Sequence, residues 1–333
     1  LWPINGNGRV GISYNFNRDP SKEYNAVVQY MAGYASFEIP VFDNFKTILG
    51  VRYENYVQYF TGQDQKGERI LNNDKVLDNI NFFPSVNIVY SLRERQNIRL
   101  SYSQTIARPS MKELSFVTIF DPISGVTFNG SLAPIEGLWD GEIVSTTIQN
   151  FDIRWEHYET GGQMISVSAF YKMFKNPIEY IQSVDQKPSI QARNVGDAQV
   201  FGAELELKQS LDFFGSAFDN FLFISNFTYI NSQIKLSDIE YESRVINSRV
   251  DQTIDEYRSM AGMSPYIINA GLSYNGGQEG FWKGLEAGLY YNVQGRSVFL
   301  VGISSYPDVY VNPFHSLNFN SSKRFGKNNR YSV

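Results

Sequence analysis

The chain has 333 residues, a formal net charge of −5, two histidines and no cysteine. That removes disulfide scaffolds, cysteine nucleophiles and cysteine-ligated metals, and so mild an acidity offers no basic footprint for nucleic acid. With 42% hydrophobic and 15% aromatic residues the chain is neither disordered nor uniformly apolar.

It opens on Leu1 rather than Met, with no charged stretch, apolar core and cleavage site behind it. No apolar run approaches the roughly 18 residues of a spanning helix. That leaves a membrane open, because a barrel hides its apolar band in alternate residues. Period-two alternation predicts strands over 26–41, 45–61, 78–92, 97–107, 146–158, 163–182, 189–210, 220–234, 264–275, 282–299 and 313–325. In the second, Leu49, Val51, Tyr53, Val57 and Tyr59 share a face opposite Lys46, Arg52, Glu54 and Gln58. In the third, Ile80, Phe82, Pro84, Val86, Ile88 and Tyr90 oppose Asn79, Asn81, Ser85 and Asn87. Phe151, Ile153 and Trp155 oppose Asp152, Arg154 and Glu156; Ala203, Leu205 and Leu207 oppose Glu204, Glu206 and Lys208. Leu285, Ala287, Leu289, Tyr291 and Val293 oppose Glu286, Tyr290, Asn292, Gln294 and Arg296. Helical periodicity is nearly absent.

The connections alternate in length along the chain. Tight turns at Asp43-Asn44, Arg93–Gln96, Glu159–Gly162, 211–219, Asn275–Gly277 and Gly326–Asn329 are interleaved with loops near 62–77, 108–145, 183–188, 235–263 and 300–312. Short turns on one side and long loops on the other suit an outer-membrane barrel, whose strands need about ten residues to cross at a tilt. Tyr53, Tyr56, Tyr59, Tyr90, Trp155, Tyr158, Tyr290 and Tyr291 fall near strand ends, as an interfacial aromatic belt requires. A large soluble β protein also alternates, but predicts shorter strands and few outward aromatics. About eleven strands is an odd number, whereas single-chain bacterial barrels have even ones, so this reading expects further strands in a longer protein. The tail from Lys327 to Val333 reads as a turn and the opening of another strand.

The fold class expected is therefore all-β, a transmembrane antiparallel up-and-down barrel, with residues 1–333 forming part of one barrel domain. Two readings compete for the polar face that would line its lumen, where Arg52, Glu54, Arg99, Asp152, Arg154, Glu156, Glu204, Glu206, Lys208, Glu286 and Arg296 fall. These side chains touch an inner plug, or they pair with one another across neighbouring strands. Phe116, Phe120, Phe128, Leu138, Trp139 and Asp140 give the loop near 108–145 an aromatic stretch. Phe128, Trp139 and Asp140 are its candidate ligand or partner contacts, and the alternative is that the aromatics form the loop's own small core. The loop near 235–263 interleaves Asp238, Glu240, Glu242, Asp251, Asp255 and Glu256 with Lys235, Arg244, Arg249 and Arg258. It reads as a solvated mixed-charge loop rather than a Ca²⁺ site, having no ordered ligand loop around a central glycine. His157 and His315 accompany no nucleophile motif, so no catalytic residue, metal ligand or cofactor is assigned.

Asn81-Phe82-Phe83-Pro84-Ser85-Val86-Asn87-Ile88 leads into Asn97-Ile98-Arg99-Leu100-Ser101-Tyr102-Ser103-Gln104-Thr105-Ile106-Ala107-Arg108-Pro109-Ser110. Ile165–Lys172, Asn176-Pro177-Ile178-Glu179, Asn194-Val195-Gly196, Gly202–Glu206, Asn226–Ile230, Ser264-Pro265-Tyr266 and His315–Asn318 follow. In order and spacing these words resemble the barrel of TonB-dependent outer-membrane receptors, particularly the large ones of Bacteroidetes-like bacteria. The resemblance covers most of 26–325 and implies a piece of a barrel of about 22 strands, roughly the tenth to the twentieth, closed around an N-terminal plug. It implies uptake of a scarce solute (iron-siderophore, oligosaccharide or peptide), outer-membrane lipid around the wall and TonB machinery reached through a region not in this chain. A structural role in a larger outer-membrane complex, with a surface lipoprotein as partner, is the alternative. One departure bears on the ligand: the family often carries a Leu-x-Pro-Glu segment where this chain has Gly130–Gly137.

Overall fold

The structure is a computed structural model that describes residues 19–135, 139–184, 188–277, 280–303, 306–326 and 331–333. Its strands are β1 (Asn25–Phe42), β2 (Phe45–Gln63), β3 (Ile70–Arg93), β4 (Gln96–Ala107), β5 (Thr118–Phe120), β6 (Thr127–Asn129), β7 (Thr146–Tyr158), β8 (Met164–Lys175), β9 (Ile178–Val184) and β10 (Pro188–Asn194). They continue as β11 (Ala198–Ser210), β12 (Phe221–Lys235), β13 (Tyr257–Arg258), β14 (Tyr266–Asn275), β15 (Leu285–Gln294), β16 (Ser297–Leu300), β17 (Val309–Val311), β18 (Phe314–Phe325) and β19 (Tyr331–Ser332). Among the described residues one α-helix, α1 (Asp238–Ile246), lies between β12 and β13. Neighbours pair antiparallel in one large sheet in the order β1-β2-β3-β4-β7-β8-β11-β12-β14-β15-β18-β19. The eleven long strands of this wall correspond one for one to the eleven expected segments.

Register explains the alternation. Directly opposed residues share a face, so Val51, Pro84 and Phe82 continue on one side into Val86, Tyr102 and Phe151, then Tyr171 and Phe201. None of the described residues covers that side: Val51 is 46% exposed, Phe82 62%, Ile153 49% and Leu289 44%. So broad a bare apolar band is stable only against lipid. The opposite, polar side is covered at one end by the long loops, and the molecule's buried residues gather there. Phe60 and Leu77, from the ends of β2 and β3, pack with Leu114, Phe116, Leu132 and Ile143 of the 108–145 loop and with Ala192 of β10. Two smaller clusters centre on Val200 with Ile234 and on Ile181 with Val301.

The long connections are more structured than expected. The segments expected over 163–182 and 189–210 each break in two. Asn176, at φ 54°, turns the chain ahead of Pro177, and 195–197 separates β10 from β11. The β9–β10 hairpin so released leaves the wall and joins β5 and β6 in a second sheet, order β5-β6-β10-β9, in which β6 and β10 run parallel. The segment 282–299 likewise divides at 295–296 into β15 and β16. The loop placed at 62–77 shrinks to 64–69, because β2 and β3 extend their hairpin beyond the rest of the wall. The region 235–263 is not an irregular solvated loop: Ser237 caps α1 by accepting from the Glu240 amide, and Glu240 is buried. The opposite edge keeps its short turns, with 3-10 turns at Thr160–Gly162, Asp212–Phe214 and Ser216–Phe218. Arg324 pairs with Ser332, so the chain does resume as a strand there; the expected turn residues Lys327–Asn329 lie outside the described residues. Of the eight belt aromatics, Tyr53, Tyr59, Tyr90, Trp155 and Tyr291 share the bare side, whereas Tyr56, Tyr158 and Tyr290 share the polar side with Glu54, Glu156 and Asn292.

Candidate functional site

The polar side carries a ladder of charges set by cross-strand register. Arg99 of β4 stands directly opposite Arg154 of β7, a like-charge pair that would repel on its own. Glu156, two residues along β7, accepts from both: Arg99 Nε donates to its Oε1 at 2.6 Å and Arg154 Nε to its Oε2 at 3.2 Å. The other end of the Arg154 guanidinium reaches across β8 to Glu206 Oε2 of β11 at 2.6 Å, where Ser166 Oγ also donates. Asp152 accepts from Ser101 Oγ at 3.4 Å, and Glu204 lies in the row beyond, opposite Ser168 and Thr228. Glu286 pairs with Arg324 Nη2 at 2.8 Å near the short-turn edge.

A second group pins the longest loop to the wall. Arg52 Nε donates to Glu54 Oε1 at 2.6 Å, and Tyr30 Oη of β1 donates to the same oxygen. Glu54 Oε2 accepts from Arg108 Nη2 at 2.8 Å, with the Arg108 guanidinium 4.5 Å above the Tyr56 ring. Arg108 is the first residue after β4, so this contact sets the direction in which 108–145 leaves the wall. Tyr30 and Arg108 were not among the expected site residues; Arg108-Pro109 at a strand end was their one local signal.

The third group has no counterpart in the strand pattern. Arg258 of β13 places Nη2 2.7 Å from Glu179 Oε2 of β9 and Nε 2.6 Å from Glu240 Oε1 of α1. Glu240 Oε1 also takes Arg244 Nη2 at 2.9 Å, and Arg244 passes on to Asp308 at 2.8 Å. Glu179 Oε1 accepts from the Ala261 amide, and Asp308 Oδ1 from that of Gly302. Five ionised side chains thereby tie three loops together with almost no exposure at Glu179, Glu240 and Arg258. Burial opposes the charge on Arg258, but the Glu179 and Glu240 carboxylates outweigh it and raise the guanidinium pKa above its usual value. Arg244 is shifted the same way, burial being overcome by Asp308 and Glu240.

The remaining expected residues fall in the same loop layer. Arg296 lies beyond the end of β15, stacked 3.9 Å over the Tyr310 ring, rather than on the spanning wall. Phe128 is buried against Tyr180, its ring centroid 3.8 Å below the Lys112 ammonium. Trp139 is half-buried and donates its indole N–H to the Ser131 carbonyl at 2.7 Å. Phe116 and Phe128 thus belong to the loop layer's own packing, whereas Asp140 and Phe120 face solvent; Leu138 lies outside the described residues. Burial and the hydroxyl's bond to Glu113 raise the Tyr180 pKa well above that of a free tyrosine. His157 shares a hydrogen bond with Glu159 beside a short turn, and His315 shares one with Tyr291 on the bare side. Neither meets a nucleophile. Among the described residues no three acidic or histidine side chains converge as a metal site.

An uncovered apolar side, a charged inner side and long loops folded over one end describe a barrel wall. A family model described as TonB dependent receptor-like, beta-barrel, matches residues 2–333. The chain belongs to the TonB-dependent receptor family. Solved structures agree on the fold. The wall superposes on the copper transporter OprC with a TM-score of 0.63 at 17% identity, over 91% of this chain and 41% of that one. For the ferric citrate transporter FecA in its unliganded form the values are 0.62 and 12%, over 92% and 39%. For a mutant of the ferric enterobactin receptor PfeA from Pseudomonas aeruginosa they are 0.55 and 15%, over 90% and 38%. This chain therefore spans about two fifths of those receptors' length. A search of curated proteins found no match. The family's barrels sit in the outer membrane and serve as transporters rather than enzymes.

Proposed function

We propose that this chain forms part of the wall and mouth of an outer-membrane receptor that imports a scarce solute. The loop layer captures the solute, and a plug contributed by sequence outside this chain, moved through TonB, releases it inward. The observation that carries the reading is the arrangement of the two sides. The polar side runs as a charged ladder from the short-turn edge up to a loop layer anchored by Arg108 and locked by Arg258. The apolar side meets lipid along its whole height. Contact between the ladder and a plug is part of this reading, since Arg99 and Glu206 keep open surface although both are paired. Deleting the whole gene and measuring uptake of ferric siderophores, oligosaccharides and peptides, with and without a protonophore, tests it. Loss of energy-dependent uptake of one class is expected; unchanged uptake of all three overturns it.

A structural role beside a surface lipoprotein has one observation in its favour. Ile123 between β5 and β6, Ile246 of α1 and Val250 stand 96%, 81% and 93% exposed on the loop layer. Co-purification of a lipoprotein that is lost on Ile246→Asp with Val250→Asp, with uptake unchanged, would favour that role.

A further inference from the structure

On the polar side of β15, halfway along the wall, Tyr290 is laid down on the sheet between two glycines. A Cβ on Gly288, two residues back on the same strand, would collide with the far edge of its ring; one on Gly271, directly opposite on β14, would stand 2.7 Å from its Cδ1. Only residues without a Cβ leave that bed open. An aromatic side chain over strand glycines also restores packing that glycine forfeits. That accounts for the ring's posture, but not for what surrounds it.

Four strands bring carboxamides around the ring, and Ile224 of β12 adds an apolar neighbour. Asn226 of β12, Asn269 of β14 and Asn292 of β15 follow one another in a single cross-strand row, and Asn318 of β18 stands directly opposite Tyr290. With the ring they line a hollow of about 210 Å³. On the other side of the ring a second hollow of about 410 Å³ carries Ser273, Asn320 and Ser322, with Glu286 already paired to Arg324. The carboxamides are lightly used: Asn292 donates to Asn269 at 2.6 Å, Asn318 to Ser316 Oγ at 2.9 Å, and Asn226 accepts from Thr228 at 3.4 Å. A carboxamide offers two donors and an acceptor with two lone pairs, so these bonds leave most of that capacity unused. Farther round the wall, between β4 and β11, the same polar side pairs arginine with glutamate. Here no charged side chain lines the upper hollow.

An exposed aromatic face framed by uncharged hydrogen-bonding groups suits a ring with one apolar face and a rim of hydroxyls. An anionic ferric chelate would meet no cation in that hollow. We propose that Tyr290, with Asn226, Asn269, Asn292 and Asn318, forms a station on the lumen wall for a sugar ring of a neutral saccharide in transit. The proposal rests on the import reading and specifies its solute class.

The test uses the full-length receptor in detergent, calorimetry, and linear α- and β-linked glucose, xylose and mannose hexasaccharides as probes. At least one probe binds, Tyr290→Ala weakens it about fivefold to tenfold, and Tyr290→Phe stays within about twofold. Asn269→Leu and Asn292→Leu leave the glycine cover in place and each weaken binding about threefold or more. They decide the matter if Tyr290→Ala fails to fold by heat-modifiable mobility. Binding unaffected by the two asparagine variants overturns the station. So does the absence of any saccharide binding in a receptor whose deletion abolishes uptake of a ferric chelate, an outcome that leaves the import reading standing. Uptake of every class surviving deletion overturns import itself.

Discussion

Two of this molecule's clusters of arginine and carboxylate are assembled on different principles. On the wall, Arg99, Glu156, Arg154 and Glu206 come from strands whose register places them side by side. In the loop layer, Glu179, Arg258, Glu240, Arg244 and Asp308 come from three separate connections and meet only because those connections fold onto one another. The wall ladder borders the lumen, and Arg99 stays half-exposed, so a broken pair there can be rehydrated. Arg258 has carboxylates on two sides in a nearly dry setting, so losing it strands Glu179 and leaves Glu240 with Arg244 alone. Secondary structure thus suffices to build the first cluster, whereas the second is itself a device that builds tertiary structure.

The strongest way to break that contrast is Arg258→Met. It leaves Glu179 and Glu240 buried without their shared cation, at a cost of about 3–5 kcal/mol to the docked loop layer. Hydrogen exchange and limited proteolysis over 236–265 should show that region released while the wall stays protected. Arg99→Met, at the open end of the ladder, should cost about 1 kcal/mol or less. Equal responses would show that the two clusters do not differ as described.

Next in size is a comparison of the wall's two sides. Ile153→Arg puts a cation into the apolar band and should cost about 2–4 kcal/mol in denaturant unfolding from lipid vesicles. Ser103→Arg, on the polar side of the adjacent strand, should change the midpoint little. A similar penalty for both would contradict the assignment of the bare side to lipid.

What the sequence made legible follows the same division. Alternation along β2, β3, β7, β11 and β15 is a local property, so Val51, Ile80 and Leu289 announce their side, and with them Glu54, Glu156 and Glu206 announce theirs. Strand boundaries failed where apolar alternation ran on through a change of direction, at Asn176-Pro177 and at Gly295-Arg296. The period does not record which sheet a strand joins. Glu240 and Arg258 read as a solvated charge run because each residue's partner lies in another loop. Tyr290 reads in the sequence as one of the belt aromatics near strand ends. Its true setting depends on Gly271, a residue of the neighbouring strand that no window around Tyr290 contains.

A smaller effect sharpens the picture within the loop layer. Tyr180 reaches from β9 to Glu113, joining the hairpin to the longest loop by one bond at 2.6 Å. Tyr180→Phe should cost about 1 kcal/mol of that docking. The pH dependence has a definite sign. Because the folded pKa lies above the unfolded value of about 10, the contribution is complete below pH 10 and disappears as pH rises through the folded pKa. Difference absorbance at 295 nm between the parent and Tyr180→Phe should therefore reveal one tyrosine that ionises late; an ordinary titration would place the hydroxyl in water.

The smallest expected effect belongs to the short-turn edge. Glu159 meets Arg95 Nη1 at 3.2 Å and His157 Nε2 at 2.8 Å, a geometry as close as several in the buried cluster. The bond to His157 lowers its carboxyl pKa, so any stabilisation is present above the unfolded carboxyl range and is lost as pH falls through the folded value. Yet this side chain stands in water, where screening and side-chain entropy cancel most of the attraction. Glu159→Gln should leave the unfolding midpoint at pH 7 unmoved within error, and the difference from the parent should stay flat on acidification. The contrast with Arg258→Met rests on burial, since the distances are alike. A measurable loss in Glu159→Gln would mean that proximity alone sets the strength of these pairs, and the ranking of the two clusters would have to be reversed or abandoned.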